Sequence, residues 1–181
     1  MRKTSILAML VALLILSVPA WSAETQNVTI TVTIEYLAVT IDEPTVPFDV
    51  MALSDSKVAD TAVNVTNDGT VEENFGLRIT DPSDPDGWTS GTTLADVGAD
   101  KYVLGARKAA EKPAVGDYVD TDVIQTDVTM GDDTNFGGFG YNVASKASEK
   151  IFFLMKTMTS VTDPSQHSII VEVSCQKYVA P

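Results

Sequence analysis

The chain of 181 residues contains a single cysteine and a single histidine. One thiol leaves no internal disulfide, so burial of apolar side chains must hold the fold. A zinc centre of the usual kind needs several Cys or His ligands and is excluded by the same shortage. A serine-hydrolase triad would have to use His167, and no G-x-S-x-G turn offers it a nucleophile. Between Gln166 and Ser168, just ahead of the last apolar run, His167 reads as an exposed turn residue. Cations are also scarce, 12 Lys and Arg against 25 Asp and Glu, for a net charge of -13. Affinity for a phosphate backbone comes from Lys and Arg displacing counterions, so nucleic acid is excluded as a partner. The segment FGGFG at 136–140 lacks the spacing and the lysine of a phosphate loop. Beyond the first two dozen residues there is no long apolar run at the helical period, and no further stretch of membrane-spanning length.

What the chain does have is 44% hydrophobic residues, enough for a packed core of one ordinary domain. Arg2 and Lys3 precede an apolar run from Ile6 to Val18, followed by small residues at Ala20, Ser22 and Ala23. That is the layout of a secretory signal peptide, cut after Ala20 or after Ala23. The run of 13 residues is shorter than the roughly 20 that cross a bilayer as a helix. The expectation is a signal peptide over 1–23 and a single secreted domain over 24–181, extracellular or on the cell surface, with no membrane span in the mature chain. Removing 1–23 takes away Arg2 and Lys3 and no acid, so the charge moves from -13 to -15.

In the mature part the period is two. In VTITVTIEY, Val28, Ile30, Val32, Ile34 and Tyr36 share one face, and Thr29, Thr31, Thr33 and Glu35 the other. β-Branched side chains suit a pleated backbone, so a strand is expected here. The apolar parity then changes to Leu37, Val39 and Ile41, which requires a bulge, a bend or a change of sheet near Tyr36 and Leu37. Phe48, Val50 and Ala52 alternate after Pro44 and Pro47, and 62–66 forms a short run ending in Asn67-Asp68-Gly69, a turn signal. Phe75, Leu77 and Ile79 alternate up to the proline-rich loop at 81–87, and Trp88 opens a weakly patterned stretch. Tyr102, Leu104 and Ala106 follow, 107–113 reads as a helical turn or a loop, and Val123 to Met130 reads as a strand. Ile151 to Met155 is apolar on both faces, as in a strand buried mid-domain. Ile169, Val171, Val173 and Cys175 point one way in a last strand, which makes Cys175 an inward-facing small hydrophobe. Eight to ten short strands between turn signals predict an all-β fold, an antiparallel β-sandwich of immunoglobulin-like or jelly-roll-like type.

The stretch from Leu37 to Trp88, with LAVTIDEPTVPFDV, then VNVTNDGTVEENFGLRI, resembles the immunoglobulin-like modules of secreted bacterial and archaeal proteins. VTNDG is similar to the V-T-N-x-G hairpin of CARDB-type adhesion modules and, more distantly, to the L-K-N-D-G element of the TasA and camelysin group of fibre-forming proteins. The resemblance covers about a third of the mature chain. It implies a two-sheet sandwich without an active site, used for adhesion or for building a fibre.

Carboxylates are the remaining chemistry. Asp81, Asp84 and Asp86 with Gly87 form part of a calcium-loop pattern in which Pro82 takes the first ligand position, and Asp117, Asp120 and Asp122, then Asp132 and Asp133, form further clusters. Calcium is a possible ligand of these, solvated turns being the plainer reading; no other cofactor is indicated. Five aligned apolar side chains in the arm at 26–36 correspond to an upper bound of about 8 to 15 kcal/mol of burial. Such a ribbon must pair within its own domain or complete the sheet of a neighbour, a head-to-tail contact that propagates. The functional expectation is a non-enzymatic secreted structural protein, a surface or filament subunit that self-associates through Val28, Ile30, Val32, Ile34 and Tyr36. The alternative is a monomeric extracellular module that binds carbohydrate or a surface protein.

Overall fold

The computed structural model describes residues 31–32, 34–81 and 87–180. Nine strands are found among them: β1 (Val39–Ile41), β2 (Ser56–Val58), β3 (Val63–Asn67), β4 (Glu73–Asp81), β5 (Thr89–Ser90), β6 (Lys101–Lys108), β7 (Thr129–Met130), β8 (Ser148–Lys156) and β9 (Ile170–Lys177). The helical content of the described residues is three single 3₁₀ turns, at Val115–Asp117, Asp120–Asp122 and Asn135–Gly137. The strands form two sheets, a sandwich-like all-β fold, as the period-two patterning predicts. One sheet runs β1-β3-β8-β6-β5, with β2 also on β8; the other runs β7-β4-β9. Pairing is antiparallel except between β5 and β6.

β8 is the spine of the larger sheet. Its register places β3 against Ser148 to Ile151 and β2 against Leu154 to Lys156, on the side away from β6. Ile151 and Phe153 point into the space between the sheets, where they join Val65, Phe75, Leu77, Ile79, Tyr102 and Leu104 in the main core. Phe152 and Leu154 point outward and are nonetheless buried, because Val58 and Tyr118 cover them in a second, smaller cluster. The Tyr118 hydroxyl donates to the Phe152 carbonyl at 3.0 Å, fixing that cover. This is why the run is apolar on both faces.

The loop at 136–140 drives Phe136 and Phe139 fully into the core, with Phe139 5.9 Å from Phe75 between ring centroids. Gly140 has φ +75, and a Cβ there would lie 2.7 Å from Phe75 Cβ, so only glycine lets the backbone approach and accept the Phe75 N–H at 2.8 Å. Asp122, fully buried, accepts from the Arg107 guanidinium at 2.8 Å and from Val119 N–H at 3.0 Å.

Three readings of the sequence need correction. Val123 to Met130 is a strand only at Thr129–Met130; Val123 and Ile124 are buried, but from a loop that touches β6 at a single bridge. The alternation of Phe48, Val50 and Ala52 makes no strand, because Pro44 and Pro47 lack the N–H a ladder requires and Asp49 adopts φ 54. His167 is not an exposed turn residue: its side chain is 2% exposed and stacks on Trp88 at 3.9 Å between ring centroids. Cys175 does face the core, half-buried. Burial and, next, the neighbouring Glu73 carboxylate raise its thiol pKa.

Surface carboxylates tie loops to their neighbours. Asp42 is held below the usual carboxylate value by the Asn64 amide, Asp60 by Lys112, Asp96 by the Thr92 N–H, Asp100 by the Thr162 hydroxyl, Asp132 by the Asn135 N–H and Glu172 by Arg78. A carboxyl whose folded pKa lies below its unfolded one stabilises the fold above the unfolded value, and that stabilisation is lost as pH falls through the folded value. The melting temperature is therefore expected to hold above about pH 5 and to fall progressively below about pH 4. A circular-dichroism melting series across pH 2 to 8 checks it; a temperature rising into acid contradicts it.

Candidate assembly interface

Of the residues expected to form the interface, Val28 and Ile30 lie outside the described residues. Val32 and Ile34 expose 76% and 75% of their surface, and Tyr36 47%. Residues 31, 32 and 34–38 belong to no strand of the single chain. The strand expected over residues 28–36 is therefore not formed at its described positions, and regular pairing begins at Val39.

The segment from Ile34 to Ala38 is nevertheless fixed. Thr70 O–H donates to the Ile34 carbonyl at 3.1 Å, Tyr36 N–H donates to Thr70 Oγ1 at 3.0 Å, and Thr70 N–H returns to the Tyr36 carbonyl at 3.0 Å. Ala38 N–H donates to Glu73 Oε1 at 2.9 Å. Lys146 lies 6.0 Å from the Tyr36 ring centroid while it pairs with Asp68 at 2.7 Å, and that hydrogen bond to Asp68 raises the lysine's pKa. All of these partners belong to, or sit beside, the β3–β4 turn, so the arm is rooted at that end of the sandwich.

The opposite end carries a groove. β9 pairs with β4 alone, so among the described residues its outer edge joins no strand. Ile169, Val171 and Val173 pack toward the core yet are only half-buried, because the space beside them is open. That space measures about 1190 Å³. Core residues Val63, Tyr102, Leu104, Ile151, Phe153 and Met155 line its floor, and Val171, Val173, the segment 43–53, Trp88, Met158 and His167 are also among its lining. The register gives its direction: Glu73 pairs with Lys177 at the turn end and Asp81 with Ile170 at the other, and the lining residues of β9 come from the Ile170 side. The arm's root and the groove thus lie toward opposite ends of one body. Trp88 Nε1, in the groove wall, and Glu73 Oε2, at the arm's root, are buried without hydrogen-bond partners.

The sequence made the arm visible as a face of alternating hydrophobics. It did not make the groove visible, because its lining comes from residues more than a hundred positions apart. Nor did it mark Thr70, in the β3–β4 turn, and Glu73, at the start of β4, two polar residues whose value lies in what they hold.

The acidic clusters do not assemble into a cation site: among the described residues no group of three or more His, Cys, Asp or Glu side chains is placed to hold a metal. Asp117 accepts from Ala114 N–H, Asp120 from Leu94 N–H, and Asp132 from Thr134 and Asn135. The loop containing Asp84 and Asp86 lies outside the described residues. No described helix is long and apolar enough to cross a membrane.

The fold and this surface define an all-β sandwich with one open apolar side. Comparison with family models, curated proteins and solved structures returned no match.

Proposed function

We propose that the protein is a secreted, non-enzymatic structural subunit that builds an extracellular or surface filament by donating its N-terminal strand, residues 28–34, to the groove of the next subunit. The observation that carries this reading is an open apolar groove beside an unpaired strand edge, in a chain whose alternating arm leaves Val32 and Ile34 exposed. An unpaired edge presents backbone N–H and C=O groups that an extended segment satisfies, while side chains at alternate positions enter the pockets beneath. The volume, about 1190 Å³, exceeds the ~300–1,000 Å³ of ordinary small-molecule sites, which favours a peptide segment over a small ligand. β9 offers eight residues, about 26 Å of edge, and the seven residues 28–34 extend to about 23 Å.

Charge agrees with this choice. Residues 25–34 carry none, whereas the whole chain carries -13. Subunits with such an excess repel one another, so a contact made by an uncharged ribbon in an apolar trough is one of the few open to them. Because the arm's root at Ile34 to Ala38 and the groove lie toward opposite ends of the same folded unit, a contact of this kind runs head-to-tail.

Gel filtration and negative-stain electron microscopy test it. The purified protein is expected to form ladders or fibres, promoted by added salt, and a version lacking residues 24–33 to remain monomeric. A full-length protein that stays monomeric at all concentrations and salts overturns the reading.

A further inference from the structure

The donated segment ends at Ile34, and the same residue is the first that the root holds, through its carbonyl to the Thr70 hydroxyl at 3.1 Å. No slack therefore separates the inserted segment from the folded body that follows it. At about 3.3 Å per residue, Leu37 of a donor lies within roughly 10 Å of the point where its arm enters the acceptor. Two folded bodies that close must touch. We propose that they do so through a second, body-to-body contact, in which the apolar root end of the donor meets an apolar rim at the groove end of the acceptor, a second copy of this chain. The inference rests on the strand-donation reading above and adds a surface to it.

Exposed apolar side chains supply both halves. At the root end Tyr36 and Leu37 are nearly half exposed and Val179 is 77% exposed. Val179 belongs to that end because Tyr178 N–H donates to the Glu72 carbonyl at 2.9 Å and Lys177 pairs with Glu35 at 2.6 Å. At the groove end stand Val50, 100% exposed, and Leu53 and Ile170, each more than half exposed. The ladders fix their place. Thr66, beside the turn, pairs with Ser148, whereas Ser56, three residues after Leu53, pairs with Lys156 at the other end of β8. Ile170 is likewise the end of β9 away from Lys177. Outside the arm, Val50 and Val179 are the two most exposed large hydrophobic side chains among the described residues, and they stand one at each end. Scattered apolar side chains are ordinary on a surface, but a head-to-tail contact brings these two ends together.

The contact also sets the direction of the donated strand. An arm parallel to β9 would place Ile34 at the Lys177 end and bring two root ends together, each carrying its Lys177–Glu35 and Lys146–Asp68 pairs. An antiparallel arm places Ile34 beside Ile170, so that the donor's Tyr36, Leu37 and Val179 face Val50, Leu53 and Ile170. Bodies of net charge -13 repel when brought this close, and apolar burial between them offsets that repulsion.

The test compares a peptide of residues 26–34, an arm without a body, with a whole donor. The acceptor is the full-length protein carrying Ile30→Asp and Val32→Asp, immobilised, and the donor is the full-length protein carrying Val171→Asp, whose own groove is spoiled. Adding Leu37→Ser and Val179→Ser to the donor is expected to lower its affinity about tenfold, the effect of two partly buried apolar side chains. Val50→Ser in the acceptor is expected to weaken the donor by a larger factor than the peptide. Unchanged affinity in the two-serine donor, an equal loss for donor and peptide with Val50→Ser, or a donor that fails to bind where the peptide binds overturns the body contact and leaves strand donation standing. Binding of neither peptide nor donor removes strand donation itself. Should the two-serine donor fail to fold, Val179→Ser alone, at a side chain too exposed to support the fold, decides with an expected loss of about threefold.

Discussion

A subunit carrying Ile30→Asp and Val32→Asp is expected to lose the ability to donate while keeping the ability to accept, and so to cap filaments when mixed with the unaltered protein. The physical basis is the cost of placing charge in the groove. Two of the four donated side chains vanish, each contributing about 1.5 to 3 kcal/mol when buried, and the carboxylates that replace them meet no cation among the groove's floor residues. At about 1.4 kcal/mol per factor of ten, affinity drops at least a hundredfold. The complementary defect is Val171→Asp in β9, which spoils the wall that receives the arm and leaves the donor intact. Each variant alone should elute as a monomer, and an equimolar mixture should form heterodimers that do not grow, because each pair contains one working arm and one working groove. Sedimentation velocity distinguishes these species. Filaments from either variant alone would mean that another surface drives assembly, and a mixture that stays monomeric would mean that arm and groove are not partners. Melting curves of both variants must first match the parent's, since Val171 also packs against the core.

The elements readable in the sequence are those whose burial is decided by near neighbours. β8 announced itself because both its faces are covered, and β9 because one face is, with Cys175 in phase with Ile169, Val171 and Val173. The proposed donor arm shows in the sequence as an unbroken alternation from Val28. The failures share a cause as well. Phe48, Val50 and Ala52 alternate like a strand, but two prolines remove ladder hydrogens and a positive φ at Asp49 ends the extension. Val123 and Ile124 are buried from a loop, and His167 is buried because Trp88, far away in sequence, supplies a stacking surface. The acceptor groove is of this second kind throughout. It exists only once β3, β6, β8 and β9 have assembled, and no local pattern reports a trough between them.

Asn67→Ala is expected to be the most destabilising single polar substitution in the molecule, costing about 3 to 5 kcal/mol. In the sequence Asn67 opens an Asn-Asp-Gly turn, a position where solvent exposure is the ordinary state. In the fold it is 0% exposed and every polar atom of its side chain has a partner. Nδ2 donates to the carbonyls of Val71 and Val143, both at 2.8 Å, and Oδ1 accepts the Gly69 N–H at 2.9 Å. Its own backbone pairs with Ala147 and Lys146, so one residue joins the β3–β4 turn to the loop before β8. Alanine leaves the Val71 carbonyl and the buried Gly69 N–H without partners, each costing about 1 to 3 kcal/mol, and takes from the Val143 carbonyl one of its two donors, the other being the Glu73 N–H. Against a total of about 5 to 15 kcal/mol for an ordinary domain, that is a large share. Asn67→Asp should be no better: it retains the acceptor for Gly69 but turns a carboxylate toward two carbonyl oxygens. Urea unfolding in the Ile30→Asp, Val32→Asp background measures these losses without a contribution from association. The same turn carries Thr70 and lies beside Glu73, which grip the arm's root at Tyr36 and Ala38. In the assembling protein the substitution should therefore also weaken filaments at temperatures where the domain is still folded, because an arm whose root is loose loses more entropy on insertion. A loss below about 1 kcal/mol would show that backbone pairing alone holds the turn, and the arm would then need another anchor.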